Sequence, residues 1–404
     1  MAARPVITGI VLERYRVFRE RIELRLAALT VLAGENSAGK SSAMHPLLLM
    51  KQTLDAPIDP GPLLLDGDNV RMTSVDQMFS AGARGPMCFG IRTNERHYFE
   101  VCFGRPKGIL TVERNIWQGA KGVKATIRAG ATWRRHRVER VRFLLGGALP
   151  RRGELSIEYI PERVAQTARD VIHVSGMRGA MGRVYPSAAI GETYPGTFDR
   201  YVARIIETWQ QEGSNHLEQL NDDLVAMGLT WKVQAKRVSD VALELRVGRL
   251  KKSVQGGAHD LVSLADVGLG VAQALPVLVA LRAADPGQLV YVEQPELHLH
   301  PNAQVALATV LAHAVKRGVR IVVETHSSLL LLAIQAAVAE RTLVPKDVAL
   351  HWFTRDPGGG SQVDTAEVAV EGSFGRWPVD FDDVTLKLQD RFLAAYEKAR
   401  KRSR

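Results

Sequence analysis

The chain is poor in the residues that tie a protein to secretion or to a membrane. Only two of its 404 residues are cysteine, Cys88 and Cys102. They form no metal-spaced set, so the expectation is a reduced, cytoplasmic protein. No run approaches the roughly 20 apolar residues of a membrane span; Leu329 to Ala339 is too short and ends in charge. Met1-Ala2-Ala3-Arg4-Pro5 carries no apolar leader. There is no repeat of fixed period, and no heptad run long enough for a coiled-coil arm. His298 and His300 stand two apart with no nearby Cys or third His, a poor zinc set. Asp380, Asp382 and Asp383 read as a helix-start or surface cluster, not as the acids of a nuclease domain.

What remains is ample material for a core, in one large domain or two to three smaller ones. The net charge of +10 is uneven: residues 101–183 hold 17 Lys and Arg against six acids. Such a block either attracts a polyanion, DNA or RNA, or is a solvated arginine-rich surface. Lys398 to Arg404 reads as a solubilising tail. Val6 to Phe18 and Ile22 to Leu26 alternate apolar and polar residues, as an antiparallel pair does. Further β-like runs are Met87 to Thr93, His97 to Phe103, Ala125 to Arg128 and Lys232 to Val247; Thr197 to Gln211 is helical. From Gly268 helix and strand alternate through Leu289–Glu293 and Arg320–Glu324, which implies a parallel sheet.

The most informative stretch is Gly34-Glu35-Asn36-Ser37-Ala38-Gly39-Lys40-Ser41-Ser42. It fits G-x-x-x-x-G-K-[ST], a loop whose glycines let backbone N–H groups cradle phosphates. In that pattern Lys40 reaches the β/γ oxygens and Ser41 offers its hydroxyl to Mg²⁺. The apolar run Leu29 to Ala33 precedes it, and a helical run follows from Ser42. The helix N-terminus adds positive potential at the phosphates. Leu289-Val290-Tyr291-Val292-Glu293 is a second signal, an apolar strand ending in an acid suited to Mg²⁺. In Val322 to Ser327 a strand ends at His326, within reach of a γ-phosphate. Leu264 to Gln273 sets two glycines, Gly268 and Gly270, before a helix. One chain needs one phosphate cradle; a second makes sense if it caps the nucleotide of another subunit.

The ordered set Gly34–Ser42, Asp266–Gln273, Glu293-Gln294-Pro295-Glu296-Leu297-His298-Leu299-His300-Pro301 and Glu324–Ser327 resembles the ABC-type ATPases of the RecF/SMC group. Within it, the chain is most similar to small bacterial "AAA family ATPases" with a P-E-x-H-L-H-P motif. Val174 to Tyr185 and Gly375-Arg376-Trp377-Pro378 resemble the same subgroup. The resemblance implies an α/β fold: a P-loop ABC-ATPase head with an antiparallel β subdomain and an inserted basic α/β lid region. The expected divisions are residues 1–103, 104–254 and 255–404.

It also implies a homodimer with ATP and Mg²⁺ sandwiched between the Gly34, Asn36, Gly39, Lys40, Ser41 and Ser42 loop of one subunit and Gly268, Gly270 and Gln273 of the other. Glu293 takes the place of the Mg²⁺-associated acid and His326 that of the switch histidine. Arg14, Arg16 and Phe18 are candidates to border the adenine. Gln52 and Gln77 compete for the Mg²⁺-sensing glutamine, with Gln77 preferred. Family members act on DNA or control a separate effector protein, in DNA maintenance or anti-phage defence. Two departures stand out. Gln294 occupies the place of the catalytic glutamate, and a glutamine cannot accept a proton from water; Glu296 or Glu324 would have to substitute. Ala265 stands where a signature serine is expected.

Overall fold

The computed structural model describes residues 5–119, 124–133, 136–137, 139–151, 154–159, 162–176, 178, 182–187, 191, 193–249, 260–375, 387–388, 390–393 and 395–396. Arg134, Arg135, Arg376, Trp377, Pro378, the cluster Asp380, Asp382 and Asp383, and the Lys398–Arg404 tail lie outside the described residues.

Two antiparallel strands, β1 (Ile7–Glu13) and β2 (Ile22–Arg25), lead into β3 (Leu29–Gly34), the phosphate-like loop and α1 (Lys40–Asp55). Next come β4 (Met87–Thr93), β5 (Tyr98–Gly104), β6 (Thr111–Gln118) and β7 (Lys124–Arg128). These join the first pair in a six-stranded antiparallel sheet ordered β2-β1-β4-β5-β6-β7. The division expected after residue 103 falls inside this sheet. Short strands follow: β8 (Thr132–Trp133), β9 (His136–Arg137), β10 (Glu139–Val141), β11 (Leu144–Arg151) and β12 (Glu154–Tyr159). After α2 (Glu162–Arg169), β13 (Ile172–Val174) and β14 (Tyr185–Pro186) lie two helices, α3 (Val202–Gln211) and α4 (Asn215–Ala226). Strands β15 (Val233–Ser239), β16 (Ala242–Gly248) and β17 (Leu261–Ser263) form a small sheet with β14.

The C-terminal half alternates as its periodicity requires: α5 (Leu269–Ala283), β18 (Leu289–Glu293), α6 (Pro301–Lys316), β19 (Arg320–Glu324), α7 (Ser328–Ala339), β20 (Val348–Arg355) and β21 (Ser361–Ala366). The second large sheet is ordered β13-β18-β19-β3-β20-β21, parallel except for the β20–β21 pair. Both faces are covered, so its central strands are apolar throughout. Alternation divides them between two cores. Val31, Val290, Val292, Ile321 and Val323 pack with α3, α5 and α6. Leu32, Leu289, Tyr291 and Val322 face α1 and the antiparallel sheet. Glu293 and Glu324, in step with Tyr291 and Val322, therefore fall on the α1 side.

One expectation is corrected. Cys88 and Cys102 are not free thiols: the β4–β5 register sets them directly opposite each other, both fully buried, and they are joined as a disulfide. Among the described residues, no helix is long and apolar enough to cross a membrane.

Candidate nucleotide-binding site

Strands β3, β18 and β19 deliver their C-terminal residues to one edge of the parallel sheet, where ligands of such folds collect. Gly34 has φ +134°, and a Cβ there would stand 2.1 Å from the Phe353 carbonyl oxygen. Gly39 has φ +107°, and its Cβ would meet Val17 Cγ2 at 2.7 Å. Conformation and space both demand glycine at these two positions. Helix α1 begins at Lys40 with no side chain capping its N-terminus, which leaves its first N–H groups for an anion.

The loop borders a cleft of about 460 Å³ that gathers Arg16, Asn36, Gly39, Lys40, Ser41 and Ser42 with Gln294, Glu324 and His326. Residues separated by some 300 positions thus meet in one place. Lys40 is buried and its Nζ donates to the carbonyls of Gly34 (3.0 Å) and Glu35 (2.6 Å). Burial pushes its ammonium below the usual lysine range, against the pull of Glu324 and Glu35. Arg16 enters the cleft from the β1–β2 connection and donates to His45 Nδ1 at 2.9 Å. Burial, then the Arg16 charge, lowers His45 to about 4, so this imidazole is neutral. Phe18 is core, and Arg14 is turned to Glu13 and the Pro86 carbonyl.

The two strand-end acids differ in their partners. Ser41 Oγ donates to Glu324 Oε1 at 2.9 Å, and Tyr291 OH donates to Glu324 Oε2 at 3.0 Å. Glu293 instead accepts from His173 Nε2 (3.1 Å) and from the Gly176 N–H (2.9 Å). Asn69 Nδ2 donates to His173 Nδ1 at 3.0 Å, which leaves Nε2 with the proton it gives to Glu293. Glu293 was expected as the metal acid, yet Glu324 is the one that lines the cleft.

Gln294 sits at φ +43°, a left-handed conformation rare outside glycine. Its N–H donates to the Glu324 carbonyl (2.7 Å), and its own carbonyl accepts from Arg178 Nη2 (2.7 Å). Arg178 is buried, and burial pushes its guanidinium down to about 10. Its Nε donates to Gln273 Oε1 and Gln273 Nε2 returns a bond to the Arg178 carbonyl. Gln273 is therefore an interior brace, not a residue offered to another subunit. Glu296 lies behind the cleft: its Oε1 accepts the His326 N–H at 2.8 Å, and burial raises its carboxyl above the ordinary range. His326 lines the cleft and is lowered by burial and by Lys40.

Other expected residues stand apart. Gln77 is exposed and spends its amide on Thr73, accepting from its N–H and donating to its hydroxyl. Gln52 is buried, bonded to the Leu64 and Val70 backbone. Neither reaches the cleft. Gly268 is the N-cap of α5 and Gly270 lies in its first turn; neither borders the cleft of its own chain. His300 caps α6 through Nδ1. His45, His173 and Arg178 were not anticipated. Only Arg178 carried a signal, through its place in the Val174–Tyr185 segment.

Residues 135–333 match the family model described as "AAA domain, putative AbiEii toxin, Type IV TA system". The chain carries an ATPase-type phosphate-loop domain. No curated protein matches it. Among solved structures it is similar to an SMC head bound to the C-terminal winged-helix domain of ScpA, at 10% identity and TM-score 0.48, covering 90% of this chain and 98% of that one. It is also similar to the SMC head domain from Thermotoga maritima, at 10% identity and TM-score 0.42, covering 91% and 100%. A third is the SMC head with an extended coiled coil bound to the C-terminal domain of ScpA from Pyrococcus furiosus, at 10% identity and TM-score 0.47, covering 96% and 99%. Strand order and the phosphate loop, not these distant likenesses, define the fold.

Proposed function

We propose that the protein is a cytoplasmic ATPase that binds ATP with Mg²⁺ in the cleft, hydrolyses it slowly, and closes on a second copy of itself to act on DNA or control an effector protein. The observation that carries this reading is the convergence of Gln294 and His326 on Lys40 and Ser41 at the uncapped N-terminus of α1. Lys40 and the loop N–H groups would hold the phosphates, and Ser41 with a strand-end acid would hold Mg²⁺. The ion supplies charge neutralisation at the transferred phosphoryl group. Burial and Lys40 lower His326, and its ring would donate or accept near the γ-phosphate; Gln294 can orient the attacking water. Gly268 and Gly270, outside their own cleft, would meet the nucleotide of the partner copy.

A polyanion-facing role rests on the basic block, of which Lys124 and Arg128 lie exposed on β7, an edge strand of the antiparallel sheet. Bacterial DNA maintenance or anti-phage defence fits the family resembled. A second reading, a non-hydrolysing ATP-dependent clamp, is favoured by one observation: Gln294 has no carboxylate to serve as base.

Nucleotide binding by Lys40→Ala, with phosphate release measured with and without DNA, tests both. Lys40→Ala should lose ATP binding while keeping its fold, because the ammonium contacts only its own loop carbonyls. Equal affinity in wild type and variant would refute the ATP site. DNA-stimulated release separates the ATPase from the static clamp.

A further inference from the structure

The ATP reading calls for Mg²⁺, and two acids, Glu293 and Glu324, stand at the ends of neighbouring strands on the α1 side of the sheet. We infer that Glu324, not Glu293, is the carboxylate that holds the ion beside Ser41. The inference rests on the proposed ATP site.

Position comes first. Strand β19 is hydrogen-bonded to β3, whereas β18 lies one strand further out. Adjacent strands are about 4.8 Å apart, so Glu293 begins that much further from the phosphate loop. The contact follows from this: Ser41 Oγ and Glu324 Oε1 are 2.9 Å apart. Mg²⁺ takes octahedral ligands at about 2.0–2.1 Å, so two ligands at right angles are separated by roughly 2.9 Å. The pair already has the spacing of one edge of that octahedron, and an ion could replace the hydrogen bond without moving either oxygen. Tyr291 OH holds Oε2, which leaves Oε1 as a single ligand atom. Mg²⁺ bound with substrate phosphates typically uses one or two carboxylates and keeps several waters, and Ser41, Glu324, phosphate and water satisfy that habit.

Glu293 is engaged elsewhere. Each of its oxygens accepts a hydrogen bond, one from His173 Nε2 and one from the Gly176 N–H. The His173 side chain is 1% exposed, so its N–H would have no water to turn to if Glu293 swung toward the loop. Glu293 thereby acts as a strut between β18 and the Gly176 turn.

The test measures affinity for a fluorescent ATP analogue in excess Mg²⁺ and in EDTA, for wild type, Glu324→Gln, Glu324→Asp and Glu293→Gln. Wild type should bind more tightly with Mg²⁺. Glu324→Gln should keep its EDTA affinity and lose the Mg²⁺ increment, with Mg²⁺ weakened by at least the roughly 10-fold that loss of even an outer partner costs. Glu324→Asp, with its carboxylate on a shorter stem, should recover part of that increment. Glu293→Gln should retain it. Melting curves identify any variant that fails to fold, and Mn²⁺ bound with nucleotide, followed by electron paramagnetic resonance, reports the metal directly in those that do. An increment lost in Glu293→Gln and kept in Glu324→Gln overturns the assignment alone. Absence of nucleotide binding by wild type overturns the ATP site, and the assignment with it.

Discussion

Glu293 and Glu324 stand side by side on adjacent parallel strands, yet their carboxyls are displaced in opposite directions. Burial acts on both and would raise both. At Glu293 the His173 and Gly176 bonds more than offset it, and the group lies below the ordinary range. At Glu324 the Ser41 and Tyr291 hydroxyls offset it only in part, the Glu293 charge adds to it, and the group lies above. Two neighbouring acids that burial would raise thus differ in the groups that answer it, and that difference frames the behaviour of the residues around them.

Gln294→Glu is expected to raise ATP turnover by one to two orders of magnitude, because a positioned general base contributes about 10²–10⁴-fold. The side chain already lines the cleft. Glu296→Gln should instead weaken the support of His326, since Glu296 touches the cleft only through the His326 N–H. Steady-state phosphate release for both variants decides: fast wild-type hydrolysis with an inert Gln294→Glu change would remove Gln294 from the base position.

Arg178→Met should lower turnover about 10–100-fold, the scale expected when a reacting group is misplaced by an ångström, while leaving ATP affinity within a few-fold. The guanidinium holds the Gln294 carbonyl and so its left-handed backbone. None of its hydrogen bonds goes to the phosphate loop. Arg178→Lys should rescue little, since an ammonium cannot serve Gln273 and Gln294 with one rigid fork. Equal losses of affinity and turnover would count against a positioning role.

Acid should destabilise the protein through His45. Its folded pKa of about 4 lies below the unfolded value of 6.5. The unfolded state therefore binds more protons between those limits, and stability falls as pH drops through that window. Above pH 6.5 the contribution is complete. Melting temperatures between pH 7 and pH 4 should show the decline, and His45→Gln should flatten it. An identical slope in the variant would place the effect elsewhere.

ATP with Mg²⁺ should shift the wild type toward a dimer in sedimentation, and Gly268→Leu should abolish the shift. A Cβ at Gly268 meets nothing within 4 Å, so the monomer tolerates the change. Gly270 is a poorer probe, because its Cβ would press on the His298 carbonyl at 3.2 Å. Mass and shape indifferent to ATP in the wild type would refute the head-to-head arrangement.

Much of the frame was legible in the sequence because its signals are local. The phosphate loop needs glycines at two strained positions, and the alternation from Gly268 onward names helices and strands by period alone. The order of motifs along the chain pointed to Gln294 and His326 together, and the fold brings both to the cleft. Gln77 was misread because two glutamines met the same description, and only the fold reveals that one is spent on Thr73 and the other buried. His45 lies on a helix whose pattern says nothing of Arg16. His173 lies on a strand of three residues, too short to have a period. The Ser41–Glu324 contact depends on which strand neighbours β3, and strand order leaves no mark on a linear sequence. The Cys88–Cys102 pair was hidden for the same reason, since cross-strand register is a property of two segments together.

Strand β13 is only three residues long, but it adds the segment that follows α2 to the edge of the parallel sheet beside β18. Gly176 and Arg178 follow it at once, and His173 lies within it. A load that peels this strand from β18 must therefore release Glu293 from two donors and Gln294 from its anchoring guanidinium in a single event. Helix α2 packs against α1 as well, but it is at β13 that the two strand-end residues Glu293 and Gln294 share their supports with the same short segment.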